Sequence, residues 1–226
     1  MDLQLDHKVI LVLGGTGYIG TAIVEQLRAE GADVVVASRH PEGGGILMDA
    51  RDQDSVNSAV KSIIAEYERI DGLVVTAAPS ALTLDPKLHD DPAQVLEAID
   101  AKALSFLRVA KEVGGHMQAA GFGRIVGISG QNALQTGNVT GSLRNAALIL
   151  AAKNLADMFS GSGVTVNAVN PGLVTEEPAA EVPIGRAGES SPAQIAALVA
   201  FLLSPVAVIS GESIAVGHRM RGMTYL

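Results

Sequence analysis

Residues 8–20 constrain this chain most. Lys8-Val9-Ile10-Leu11-Val12-Leu13 is a short apolar run of strand type, and Gly14-Gly15-Thr16-Gly17-Tyr18-Ile19-Gly20 follows directly. The turn opens an amphipathic segment with Ile19, Ile23, Val24 and Leu27 on one helical face. Gly15-x-Gly17-x-x-Gly20 is the spacing of a dinucleotide-binding turn, in the strand-to-helix context that gives the pattern meaning. Glycines allow a tight turn and a close approach of backbone to pyrophosphate. The helix N-terminus behind them offers unpaired N–H groups to phosphate. The competing reading is a purely structural strand-to-helix turn.

The rest of the chain repeats the alternation. Strand-like runs recur at 34–37, 73–76, 124–128, 164–169 and 213–216, with a shorter one at 46–48 after Gly43-Gly44-Gly45. Helical patterns lie between them at 55–67, 92–111, 143–159 and 192–203. Uniformly apolar strands alternating with helices predict an α/β fold: a Rossmann-type, doubly wound parallel sheet of about seven strands, with helices on both faces. Residues 78–91 read as a loop, with Asp90-Asp91 capping the next helix, and Gly114-Gly115-His116 reads as a bend. No repeat or linker divides the chain, so residues 1–226 are expected to form one domain.

Composition excludes several roles. Hydrophobic residues make up 48% but aromatics only 3%, so the core must be aliphatic. A net charge of −8 without a long basic run argues against nucleic acid and anionic membrane as partners. There is no cysteine, hence no disulfide or thiolate chemistry. The five histidines are scattered without ligand spacing, so no metal site is expected. The acidic N-terminus lacks the pattern of a signal peptide, and no apolar stretch is long enough for a bilayer. A cytoplasmic protein acting on a small molecule is the expectation.

The second strand ends in Ser38-Arg39-His40. An acid at this strand end suits the ribose hydroxyl of NAD; an arginine suits the 2′-phosphate of NADP. Ser38 and Arg39 supply a hydroxyl and a guanidinium fork, which favours NADP(H). The alternative is a solvated loop arginine.

With these features in place, the chain resembles the short-chain dehydrogenase/reductase family over nearly its whole length. Gly14, Gly15, Thr16, Gly17, Tyr18, Ile19 and Gly20 resemble the family's cofactor turn. Asp49 matches the acid that holds adenine, and Val75-Thr76-Ala77-Ala78 is a degenerate copy of Asn-Asn-Ala-Gly, with Ala77 beside the cofactor. In Val166–Thr175 the resemblance implies that Pro171, Gly172 and Val174 border the nicotinamide and that Thr175 touches its carboxamide or the pyrophosphate. The family's catalytic set of Asn, Ser, Tyr and Lys is where the chain departs. Gly141 falls at the Tyr and Asn145 at the Lys; the Ser aligns with Gly130, or with Ser129 when shifted by one; the Asn aligns with Asp100. No Tyr-x-x-x-Lys occurs anywhere, and of the three tyrosines only Tyr225, from a neighbouring subunit, is free to replace the phenol. Only twelve positions separate Pro171 from Pro183, so the substrate lid is short and the site open. The resemblance also implies a homodimer or homotetramer, with the helices at 92–111 and 143–159 at the interface. Three functions stay open: an NADP-dependent oxidoreductase using Asp100, Ser129 or Asn145; a lyase, isomerase or cyclase with Asp100 as base; or a non-catalytic sensor or partner subunit. Ser129, Gln131, Asn132, Gln135, Asn138 and Asn145 are expected to line the site, and Arg144 is a candidate for an anion contact.

Overall fold

The computed structural model describes residues 1–41, 43–78 and 83–222. Pro79, within the expected loop, and Tyr225 lie outside them. The strands are β1 (Val9–Leu13), β2 (Asp33–Ser38), β3 (Ile46–Leu47), β4 (Gly72–Val75), β5 (Gly123–Ile128), β6 (Val164–Pro171), β7 (Leu173–Val174), β8 (Glu189–Ser190) and β9 (Ser213–Val216). The helices are α1 (Tyr18–Ala29), α2 (Gln53–Tyr67), α3 (Pro92–Ile99), α4 (Ser105–Ala120), α5 (Val139–Met158) and α6 (Pro192–Leu203). Seven strands form one sheet in the order β3-β2-β1-β4-β5-β6-β9, and each adjacent pair is parallel. This is the expected Rossmann-type architecture.

Side chains alternate through the sheet and divide the core in two. Val9, Leu11 and Leu13 of β1 face the layer built by α2, α4 and α5, with Val56, Ile63, Phe106, Val113 and Leu155. Ile10 and Val12 face α1 and α6, with Ile23, Leu27, Ile195 and Val199. All five β1 residues are buried, as a strand covered on both faces requires.

Helix starts follow from local chemistry. Asp52 accepts from the Asp54 and Ser55 N–H groups, and Asp91 accepts from those of Ala93 and Gln94, with Pro92 opening α3. Ser191 and Gln194 form a reciprocal capping box at α6. Asn138 caps α5 by accepting from Gly141 N–H, so that helix begins four residues before the apolar periodicity at Leu143 indicates.

Two local expectations are corrected. The helical pattern at 92–111 is not one helix: a π-turn at Asp100–Leu104 separates α3 from α4. Gly114-Gly115-His116 is no bend, for α4 runs unbroken to Ala120. Gly114 is there because a side chain does not fit. A Cβ would stand 2.4 Å from the Phe159 ring, whereas at Gly115 it would meet nothing within 4 Å. In a helix interior, alanine normally outdoes glycine by about 1 kcal/mol. Gly115→Ala should therefore gain up to about 1 kcal/mol. Gly114→Ala should instead lose about 1–3 kcal/mol through overpacking. Urea unfolding of the two variants checks the contrast; equal effects would refute it.

Candidate functional site

The C-terminal ends of β1 and β4 form the crevice at which the strand order reverses, where ligands of this fold class bind. Three bonds hold its floor. Gly14 N–H donates to Ala37 O at 2.9 Å, Thr76 N–H donates to Leu13 O at 2.9 Å, and the Thr76 hydroxyl donates to Gly14 O at 3.0 Å. Gly14 has φ +85°, and its Cβ would fall 2.6 Å from Thr76 Oγ1. A Cβ on Gly20 would lie 2.1 Å from Gly14 O, so α1 reaches the turn only with glycine there. Gly17 caps α1 without any side-chain hydrogen bond, which leaves the first-turn N–H groups to the crevice. Thr16, Gly17 and Tyr18 are exposed, Ile19 is half-buried, and Gly15 and Gly20 are buried.

The other predicted cofactor residues gather around this floor. Ser38 closes β2, and its Oγ is buried with no hydrogen-bond partner; Arg39 beside it is exposed. Asp49 follows β3 and accepts from Arg51 N–H at 3.0 Å, while Ala77 follows β4 and is half-buried. Pro171 ends β6. Gly172, Val174 and Thr175 run beside β8, where Thr175 N–H donates to Ser190 O at 3.1 Å. Strands this short carry no periodicity, so β7 and β8 have no signature in the sequence. The segment that follows is short, as expected. Glu176, at the start of this segment, bears on the exposed phenol of Tyr18 in the glycine turn and raises its pKa.

The predicted catalytic residues do not all meet. Ser129 and Asn145 do. The Ser129 hydroxyl donates to Asn145 O at 3.0 Å, and Asn145 Nδ2 donates to Gly141 O at 2.8 Å and to the Asn132 side chain. Both residues are buried. Asn132 and Asn138 fill the space in front of Gly141, where a Cβ would meet their amide nitrogens at 2.9 and 3.0 Å. The Ser129 hydroxyl and the Asn145 amide nitrogen are thus both bonded within the protein. Arg144 is buried on α5 rather than turned outward.

Asp100 stands apart from that network. Its carboxylate accepts from Arg108 at 2.7 Å and from Arg51 at 2.9 Å, and Arg51 also pairs with Glu97. Arg108 first, and Arg51 with it, hold the carboxyl below its usual pKa despite partial burial. A carboxylate held in this way is a weaker base than a free one, which weighs against the role expected for it.

The residue that sequence reasoning missed is Lys102, two positions on in the π-turn. It is 7% exposed, and Nζ donates to Ser129 O at 3.1 Å. Burial, and then the charge of Arg144, push its pKa down to about 7. A lysine in a helical run otherwise reads as a solvated face, and the lone signal was its place between Ala101 and Ala103 inside an apolar stretch. Among the described residues no group of three or more His, Cys, Asp or Glu is placed to hold a metal. None of the described helices is long and apolar enough to cross a membrane.

Comparison with known proteins places this geometry. The family model described as Enoyl-(Acyl carrier protein) reductase matches residues 16–218. The chain belongs to the short-chain dehydrogenase/reductase family. It is 30% identical over 253 aligned residues to a 3-oxoacyl-(acyl-carrier-protein) reductase of Salmonella typhimurium, covering 96% of this chain and 99% of that protein. It is 31% identical over 232 residues to an acetoacetyl-CoA reductase of Synechocystis, covering 94% and 95%. The solved aldohexose dehydrogenase of Thermoplasma acidophilum shares the fold at a TM-score of 0.81 with 23% identity, each chain covered completely (100%). An oxidoreductase-like fold of this family is thus the frame for the site.

The Lys102 amine makes stability pH-dependent with a defined sign. Its folded pKa, about 7, lies below the ordinary 10.5, so between these values the unfolded chain binds more protons. Stability from this group should therefore rise with pH across that window. Denaturant titrations of wild type and Lys102→Met from pH 6 to about pH 10 should differ in slope in that sense; parallel curves would refute the shift.

Proposed function

We propose that this protein binds NADP(H) and acts as an oxidoreductase of the short-chain type with an altered proton supply. The observation that carries the cofactor reading is Ser38. Its Oγ is buried without a partner at the end of β2, beside the exposed guanidinium of Arg39. A buried hydroxyl that makes no bond is costly, and a 2′-phosphate would satisfy it and pair with the arginine. The crevice fits the rest of the dinucleotide. Gly14–Gly20 and the uncapped start of α1 would hold the pyrophosphate. Asp49 would face the adenine, and Ala77, Pro171, Gly172, Val174 and Thr175 would border the nicotinamide ring. When bound, the reduced nicotinamide supplies hydride.

The chain's own residues set what that hydride can reach. Gly141 and Asn145 stand where the resemblance expects a phenol and an ammonium, and the amides of Asn132 and Asn138 occupy the space. A simple ketone needs an acid at its oxygen as hydride arrives. A conjugated alkene next to a carbonyl needs less, because its charge spreads into an enolate. We therefore favour a conjugated acceptor, in line with the description of the matching family model. Exposed Leu96, Leu104, Leu143, Leu150 and Met158 on α3, α5 and the π-turn support a homodimer or homotetramer.

A second reading has its own support. The Ser129 hydroxyl and the Asn145 amide nitrogen are spent on bonds within the protein, which suits a non-catalytic NADP(H) sensor or partner subunit. A lyase or isomerase with Asp100 as base loses its support to the Arg51 and Arg108 pairs.

Calorimetric titration with NADPH and NADH tests the cofactor reading. NADPH should bind at least tenfold more tightly, and Arg39→Glu should weaken NADPH far more than NADH; equal loss of both would remove the 2′-phosphate argument. Reduction of simple ketones with NADPH should stay near background, and robust turnover of them would refute the altered proton supply.

A further inference from the structure

We propose that Lys102 carries the proton of this site, its amine delivered by the π-turn to the end of β5. The inference rests on the oxidoreductase reading and adds a residue to it. π-turns widen a helix locally and recur at functional positions, because they redirect side chains that a regular helix would place elsewhere. Here the turn sends Asp100 toward Arg51 and Arg108 and Lys102 inward to Ser129. The single hydrogen bond of the Lys102 amine among the described residues is to the Ser129 carbonyl. An ammonium has three donors, and at this depth water is scarce, so the geometry leaves donors for a ligand or a proton acceptor. The next residue, Gly130, is half-buried and brings no side chain to the strand end.

Elimination by chemistry leaves the same residue. Ser129, Asn132 and Asn145 hold no proton that they release near neutral pH. Arg144 of α5, the charge that bears on Lys102, is too basic to give one up. Asp100 lies on the same turn, and the neighbouring Glu97 and Arg108 of α3 and α4 are bound to it or to Arg51. Burial and a like charge bring the Lys102 amine to about 7, the range in which an acid both holds and releases its proton.

The step balances on a conjugated carbonyl acceptor. Hydride from the reduced nicotinamide reaches the β-carbon and leaves an enolate. One Nζ–H bond of Lys102 breaks, and an O–H bond forms on the enolate oxygen. The enol then becomes the saturated carbonyl compound. Lysine is left as a neutral amine and takes its next proton from water.

The test starts on the full chain without cofactor, labelled at lysine Cε. The chain has six lysines. One of the six signals, the one absent from Lys102→Met, should titrate near 7. A Lys102 signal that titrates at the ordinary 10.5 overturns the proposal whatever the cofactor does. Cyclohexenone reduction by NADPH follows, with calorimetry alongside. Lys102→Met should bind NADPH as wild type does and lose about a hundredfold or more in turnover. Wild-type turnover should fall as pH rises past 7, and Lys102→Arg should move that limb. Turnover in Lys102→Met equal to wild type overturns the proposal. NADPH binding without cyclohexenone turnover by wild type overturns the catalytic reading, and this proposal falls with it. Failure to bind NADPH overturns the cofactor reading and, with it, the proton transfer proposed here, whereas a failed lysine titration overturns this proposal and leaves the cofactor reading standing.

Discussion

Everything in this molecule hangs on how closely α1 approaches the end of β1. A Cβ on Gly20 would stand 2.1 Å from the Gly14 carbonyl, a distance that no rotamer change can relieve because the obstacle is backbone. That approach draws the helix N-terminus down onto the crevice floor. The floor is itself tied to β2 through Gly14 N–H and to β4 through Thr76. The turn is thus more than a sequence signature. It is the joint at which the sheet order reverses, and it orients the N–H groups that make the crevice suited to phosphate.

On the far side of β4 the construction changes character. The helical run after Asp91 is interrupted by a π-turn, and two ionisable residues two positions apart part company there. Asp100 joins an ion-pair cluster with Arg51, Glu97 and Arg108 that ties the start of α2 to α3 and α4. Lys102 goes inward and meets β5. The carboxylate is stabilised by charge and the amine is destabilised by burial, so their pKa values move for opposite reasons. Between β5 and α5, the side chains of Ser129, Asn132 and Asn145 bond within the cluster and to the α5 backbone. The polar character of this region serves packing as much as chemistry, since buried amides must be paired.

Much of this was legible from residues alone. The strand runs and the 3.6-residue periods marked all seven strands of the main sheet and most helix bodies, because burial on one or both faces writes a period into the chain. Asp91 and Pro92 announced α3 through capping chemistry. What stayed hidden was short or conformational. β7 and β8 have two residues each, too few for any period. The π-turn has the composition of an ordinary helix. Gly114-Gly115 looked like a break, yet one glycine yields to a phenyl ring from another element and the helix continues. The role expected for Asp100 rests on aligned position alone. Its neutralising partners come from Arg51, far away in sequence, and from Arg108.

The sequence by itself determined the alternation of apolar strands and amphipathic helices, the glycine turn, the Ser38-Arg39 strand end and the absence of Tyr-x-x-x-Lys. These are local facts of residue type and spacing, and physics acts on them locally. Tertiary structure alone decided which ionisable groups are solvated and which are buried. It placed Lys102 behind β5 beside Arg144 and left Ser38 Oγ without a partner. Protonation and hydrogen-bond satisfaction depend on neighbours that the fold gathers from distant parts of the chain, and no spacing rule within one segment encodes them.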